Sequence, residues 1–122
     1  MSDFQPFSDR NGNFKLPPNI DFRAVFFANA ADRQEVKLYI GENSKTAAWT
    51  YAGNSRDEVR GKILNSGDGT LRVEVFTNGK QSATDGRLAP LSKRTWFGIL
   101  VSEDGADKDY NDAIVVLQWP IG

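Results

Sequence analysis

The sequence predicts an all-β fold: an antiparallel β-sandwich of about nine short strands with Greek-key-like connections. Three observations predict it. Runs rich in valine, leucine, isoleucine and aromatic residues recur at spacings of roughly ten residues. Turn residues (Gly, Pro, Asn, Asp) stand between them. No window holds a helical apolar period over three turns.

Residues 1–12 are polar, punctuated by Pro6 and Gly12, and read as a flexible lead-in to a single domain over residues 13–122. Asn13-Phe14-Lys15-Leu16 alternates and is stopped by Pro17-Pro18, as an edge strand would be. Asp21–Ala28 is aromatic and apolar enough for a central strand, and Asn29-Ala30-Ala31-Asp32 closes it as a polar turn. In Glu35–Ile40 a period of two puts Val36, Leu38 and Ile40 on one face. A turn over Gly41–Thr46 leads to a short strand, Ala47–Tyr51, and Ala52–Ser55 turns again. Val59–Leu64 is a weaker strand ended by Asn65-Ser66-Gly67-Asp68-Gly69. Thr70–Thr77 has the cleanest alternation, with Leu71, Val73 and Val75 on one face, and Asn78-Gly79 follows as a hairpin signal toward Gln81–Ala83. Arg87–Leu91 is a further extended piece interrupted by Pro90, and Trp96–Val101 and Ala113–Trp119 are core strands.

Composition narrows the functions. A chain of 122 residues makes one domain burying about two-thirds of its unfolded surface. A net charge of −1 offers no broad basic face for nucleic acid or an anionic membrane. No apolar run is long enough to span a bilayer. Without cysteine there are no disulfides or thiolate sites, and without histidine the Ser-His-Asp and Cys-His arrangements are excluded. The first ten residues hold neither a basic n-region nor an apolar h-region, so no ordinary signal peptide is expected; the chain would be made in the cytoplasm, and any export would take a non-classical route.

The chemistry is concentrated between the last two strands. Ser102–Asp112 carries five carboxylates (Glu103, Asp104, Asp107, Asp109, Asp112), the carboxamide of Asn111 and one lysine, Lys108. Like charges this close repel, so a tight loop needs a counter-charge, and a metal ion is the nearest supplier. The ligands are oxygen donors, suited to calcium, magnesium or manganese rather than zinc or copper. Asp107, Asp109 and Asn111 follow the D-x-D-x-N spacing of EF-hand loops, yet Asp112 replaces the turn glycine and Gln118 the bidentate glutamate. Residue chemistry leaves three arrangements open: one structural calcium, two ions sharing carboxylates, or a solvated acidic hairpin.

The acidic run, followed by a chain that stops at Trp119-Pro120-Ile121-Gly122, closely resembles the soluble bacterial fucose/mannose-binding lectins of the LecB (PA-IIL) type. The likeness extends upstream through Phe27-Ala28-Asn29 and Leu64-Asn65-Ser66-Gly67. Resemblance implies a nine-stranded sandwich binding two calcium ions, to which sugar hydroxyls coordinate directly. It assigns the metal ligands to Asn29, Glu103, Asp107, Asp109, Asn111, Asp112 and the terminal carboxylate of Gly122, the last reaching across from a partner subunit. That ligand demands a homo-oligomer, at least a two-fold dimer. Asp109 and Asp112 can each bridge two ions, a carboxylate having about four lone-pair directions. The sugar would meet Ala30, Ala31, Asp32, Asp104, Asp107, Asp109, Asn111, Asp112 and Gly122.

Specificity in that family follows the three residues after the asparagine, here Ala30-Ala31-Asp32. Resemblance links serine at the first position to fucose and alanine to mannose, since a hydroxyl there would hold Asp104 away from the sugar's hydroxymethyl oxygen. The expectation is a non-enzymatic, calcium-dependent lectin for mannose-containing glycans, with fucose weaker. Two other classes compete: a calcium-stabilised structural or adhesion domain without a sugar site, and a metal-assisted glycoside hydrolase using Glu103 and Asp104 as acid and base. The hydrolase fares worst, because metal ligation keeps both groups ionised and no histidine can shuttle a proton.

Overall fold

Alternating apolar residues give the central strands one greasy face, and two antiparallel sheets bury those faces against each other. The computed structural model describes residues 7–91, 95–103 and 112–121. One sheet runs in the order β1 (Phe7–Ser8), β2 (Asn13–Lys15), β7 (Thr70–Thr77), β4 (Gln34–Ile40), β5 (Trp49–Gly53), with β8 (Lys80–Gln81) also paired to β7. The other runs β6 (Arg60–Asn65), β3 (Asp21–Ala28), β11 (Ala113–Trp119), β10 (Trp96–Glu103), β9 (Ala83–Pro90). Every pairing is antiparallel, and many neighbours are distant in sequence. Phe14, Val36, Leu38, Leu71, Val73 and Val75 from the first sheet meet Phe22, Phe26, Leu100, Val115, Leu117 and Trp119 from the second.

The all-β sandwich read from the sequence is the observed class, with the longer strands at or near their expected bounds. The described residues hold eleven strands rather than about nine; β1, two residues long, is the one with no counterpart in the sequence reading. Residues 7–12, grouped with the lead-in by composition, form β1 and a turn. The Asp9 carboxylate organises that turn, accepting from the backbone N–H of Asn11 and of Asn13 and from Asn13 Nδ2. Burial pushes its pKa up, but these bonds outweigh it and hold the carboxyl below its ordinary value. The added β1 also moves β2 off the edge it was expected to occupy.

The Asn78-Gly79 hairpin is present, both residues at positive φ (50° and 85°) as a two-residue turn requires. Its return strand is shorter than expected, Lys80–Gln81 instead of Gln81–Ala83. At Ser82 the chain crosses between sheets, and Ala83 already pairs with Glu103 in the other sheet. That crossing also lengthens β9 beyond the expected Arg87–Leu91.

The outer faces of the two sheets differ. On the first it is polar and charged, with Arg72 stacked 4.1 Å over Tyr39 and Lys37 4.9 Å over Phe76. On the second, the rows Val25–Val116–Ile99 and Phe27–Ile114–Val101 run across three strands. None of these six is fully buried, and Ile99 is 38% exposed.

Candidate functional site

Register brings Asn29, Glu103 and Asp112 to one pole of the second sheet. Ala28 on β3 pairs with Ala113 on β11, which pairs with Ser102 on β10, so the chain leaves β3 at Asn29, leaves β10 after Glu103 and enters β11 from Asp112 side by side. Asn29 is more than seventy residues from Glu103 and Asp112 in sequence, and antiparallel pairing removes that separation.

Hydrogen bonds fix the pole. Asn29 N–H donates to the Asp112 carbonyl at 2.8 Å, joining the turn after β3 to the end of the acidic loop. Asp112 N–H donates to the Ser102 carbonyl (3.1 Å), and the Ser102 hydroxyl donates to the Ala113 carbonyl (3.3 Å), closing the loop's base. The Asn29–Arg33 turn is clamped again further along. Ala30 C=O accepts from Ser55 N–H at 2.8 Å, and Arg33 C=O accepts from Asn78 N–H at 3.0 Å.

Exposure sorts the side chains. Asn29, Ala31 and Asp32 are exposed, Ala30 and Asp112 half-buried. Glu103 is only 2% exposed, on a strand whose preceding residue, Ser102, is fully buried. A carboxylate kept that far from water is stable only where donors or positive charge meet it. The donor set these residues bring is oxygen throughout, one amide and two carboxylates, which fits a hard cation such as calcium. Among the described residues no three acidic side chains cluster closely enough to hold a metal. Asp104, Asp107, Asp109, Asn111 and Gly122, the remaining predicted ligands and sugar contacts, lie outside the described residues.

Sequence reasoning did not single out Ser55, whose backbone grips Ala30; nothing local marks it, because it acts through a main-chain N–H. Gln34 was also missed, although its position carried a signal. It stands two residues before Val36 on the inward face of β4, where the alternation calls for an apolar side chain, and it is completely buried.

Seven residues from Ala113 to Trp119 put the two ends of β11 about 20 Å apart, so Trp119 lies at the far end of the sheet from Asp112.

A family model described as fucose-binding lectin II (PA-IIL) matches residues 14–121. Among solved structures, the C-terminal domain of the BC2L-C lectin from Burkholderia cenocepacia is 41% identical, with a TM-score of 0.86 over 94% of this chain and 100% of that one. A Ralstonia solanacearum high-affinity mannose-binding lectin is 37% identical over 91% and 97% of the two chains, TM-score 0.83. The Chromobacterium violaceum lectin CV2L, solved with α-methyl-fucoside, is 34% identical over 92% and 98%, TM-score 0.84. No curated protein matched the sequence. The match spans nearly the whole domain and includes the pole where Asn29, Glu103 and Asp112 meet, and the chain belongs to the PA-IIL fucose-binding lectin family.

Proposed function

We propose that this lectin binds mannose-configured glycans, and fucose more weakly, through two calcium ions held at the pole formed by the Asn29–Asp32 turn and the acidic loop. The observation that carries the reading is the convergence of Asn29, Glu103 and Asp112, tied by the Asn29 N–H to Asp112 carbonyl bond. Asn29, Glu103, Asp107, Asp109, Asn111, Asp112 and a partner's terminal carboxylate would hold the ions. Bound calcium supplies coordination positions at which sugar hydroxyl oxygens replace water. The chain's own residues then set orientation. Ala30 presents no hydroxyl, leaving Asp104 free to accept from the hydroxymethyl group of mannose. Ala31 and Asp32, exposed beside it, form the rim against the ring. The Ralstonia relative named for mannose and the Chromobacterium relative solved with a fucoside support both sugars as ligands.

A two-fold dimer completes the site. Gly122 of a second copy would supply the terminal carboxylate, and the apolar outer face of the second sheet offers the surface. Two such faces packed with their β11 strands antiparallel put each chain's end beside the other's acidic loop. Paired sites on one assembly then gain avidity on multivalent glycans.

Calorimetric titration with methyl α-mannoside and methyl α-fucoside tests the reading. With calcium, mannoside should bind more tightly than fucoside, and excess chelator should abolish both. Binding that survives chelation would overturn the calcium role, and tighter fucoside binding would overturn the preference.

A further inference from the structure

A largely buried line of polar side chains runs from the point where the chain changes sheets to the turn at the proposed sugar site. Ser82 sits at the crossing, 8% exposed, with its hydroxyl 2.8 Å from that of Thr77. Thr77 lies directly opposite Gln34 in the β4–β7 pairing, and its hydroxyl donates to Gln34 Oε1 at 3.0 Å. Because that uses the only proton on Thr77 Oγ1, the Ser82 hydroxyl is the donor in its pair with Thr77. Gln34 Nε2 in turn donates to the Asp32 carbonyl at 3.4 Å. All the donors point one way, from Ser82 through Thr77 and Gln34 to the backbone of the turn. Among the described residues no buried side-chain nitrogen or oxygen lacks a partner, the atoms of this line included.

An amide at a fully buried, inward-facing strand position is disfavoured against a leucine or methionine unless its bonds do something an apolar residue cannot. Here the bond they end on is the carbonyl of Asp32, one residue beyond the Ala30-Ala31 pair. The adjacent Asn78 N–H holds Arg33 C=O from the same strand end.

We propose that Gln34 is a positioning residue for sugar discrimination: through Asp32 C=O it sets the path of Ala30-Ala31-Asp32, and Thr77 and Ser82 orient its amide. This rests on the lectin-site reading above. It assigns discrimination partly to a side chain that never touches the sugar.

The test compares Gln34→Leu, Thr77→Val and Thr77→Ser with the unmodified protein, at saturating calcium, titrating methyl α-mannoside and methyl α-fucoside in parallel. Gln34→Leu keeps the shape and removes the donor to Asp32. It should weaken mannoside binding by about three- to tenfold and change the mannoside-to-fucoside ratio by about threefold or more. Thr77→Val should move the ratio in the same direction, whereas Thr77→Ser, which keeps the hydroxyl, should restore it. A merely structural role would lower the melting temperature and leave the ratio alone. A folded Gln34→Leu with both affinities unchanged overturns the proposal; should that variant not fold, identical ratios for Thr77→Val and Thr77→Ser overturn it. Failure of the unmodified protein to bind either sugar is a separate result, which overturns the site reading and this inference with it.

Discussion

Ala30 is held from two directions, its own carbonyl by Ser55 N–H and its neighbour Asn29 by the Asp112 carbonyl, so its side chain cannot drift when the residue is changed. A hydroxyl added there enters a fixed frame. In Ala30→Ser the new donor should engage the Asp104 carboxylate and withdraw it from mannose. The fucoside-to-mannoside affinity ratio should rise by about three- to tenfold, the worth of one charge-assisted bond partly offset by solvation. Parallel calorimetric titrations read this directly, and an unchanged ratio would remove Asp104 from the account of specificity. The residue types needed for this argument were visible in the sequence; the frame was not, because Ser55 acts through its backbone and stands 25 residues from Ala30.

Among the elements, the β6–β7 connection shows how backbone chemistry rather than side-chain pattern sets geometry. Asn65-Ser66-Gly67-Asp68-Gly69 read as a turn from composition alone. In the fold it is an anchoring point for two other segments. The Asp68 carboxylate accepts from Thr70 N–H and Glu42 N–H, which lowers its pKa. Ser66 Oγ donates to Pro17 C=O and accepts from Ile20 N–H. Gly69, at φ +92°, brings its backbone against Leu16: its carbonyl accepts from Leu16 N–H at 2.8 Å, and an added Cβ would collide with the Leu16 carbonyl oxygen. Gly69→Ala therefore combines an unfavourable φ with a backbone clash and should destabilise the fold by about 2–3 kcal/mol. Thermal unfolding should show a melting temperature lower by roughly 8 °C or more, and a shift below a degree would contradict the close approach. Strand β9 shows the limit of periodicity. Ala83–Pro90 contains Thr84, Asp85, Gly86 and Arg87, which no alternation rule picks out, and it is a strand because β10 offers it a ladder over its full length.

At the scale of the molecule, one sheet is dressed for water on its outer face and the other is not. Glu35, Lys37, Arg72 and Glu74 cover the first sheet, whereas Val25, Phe27, Ile99, Val101, Ile114 and Val116 lie across the second. A single domain gains nothing from an apolar outer face; a second copy packed on it does. Val116→Arg, at the centre of that face, should convert the proposed dimer to a monomer in sedimentation velocity and weaken mannoside binding at least tenfold by withdrawing the partner's terminal carboxylate. One glycine appended after Gly122 should weaken binding comparably while leaving the dimer intact. A monomeric Val116→Arg that binds normally would sever the link between assembly and site.

The sequence by itself determined the class of fold, most strand bounds and the identity of the acidic loop, because period-two alternation, the Asn-Gly turn and a dense run of oxygen ligands are all local signals. It also marked Asn29, 83 residues before Asp112, though only through resemblance to relatives. Tertiary structure alone decided two things. The β3–β11–β10 register sets Asn29 against Asp112, and the crossing at Ser82 lengthens β9 and sets the buried amide of Gln34 against the Asp32 carbonyl. Each depends on which strands pair, and pairing is set by the sum of contacts across a sheet that no single stretch of chain contains.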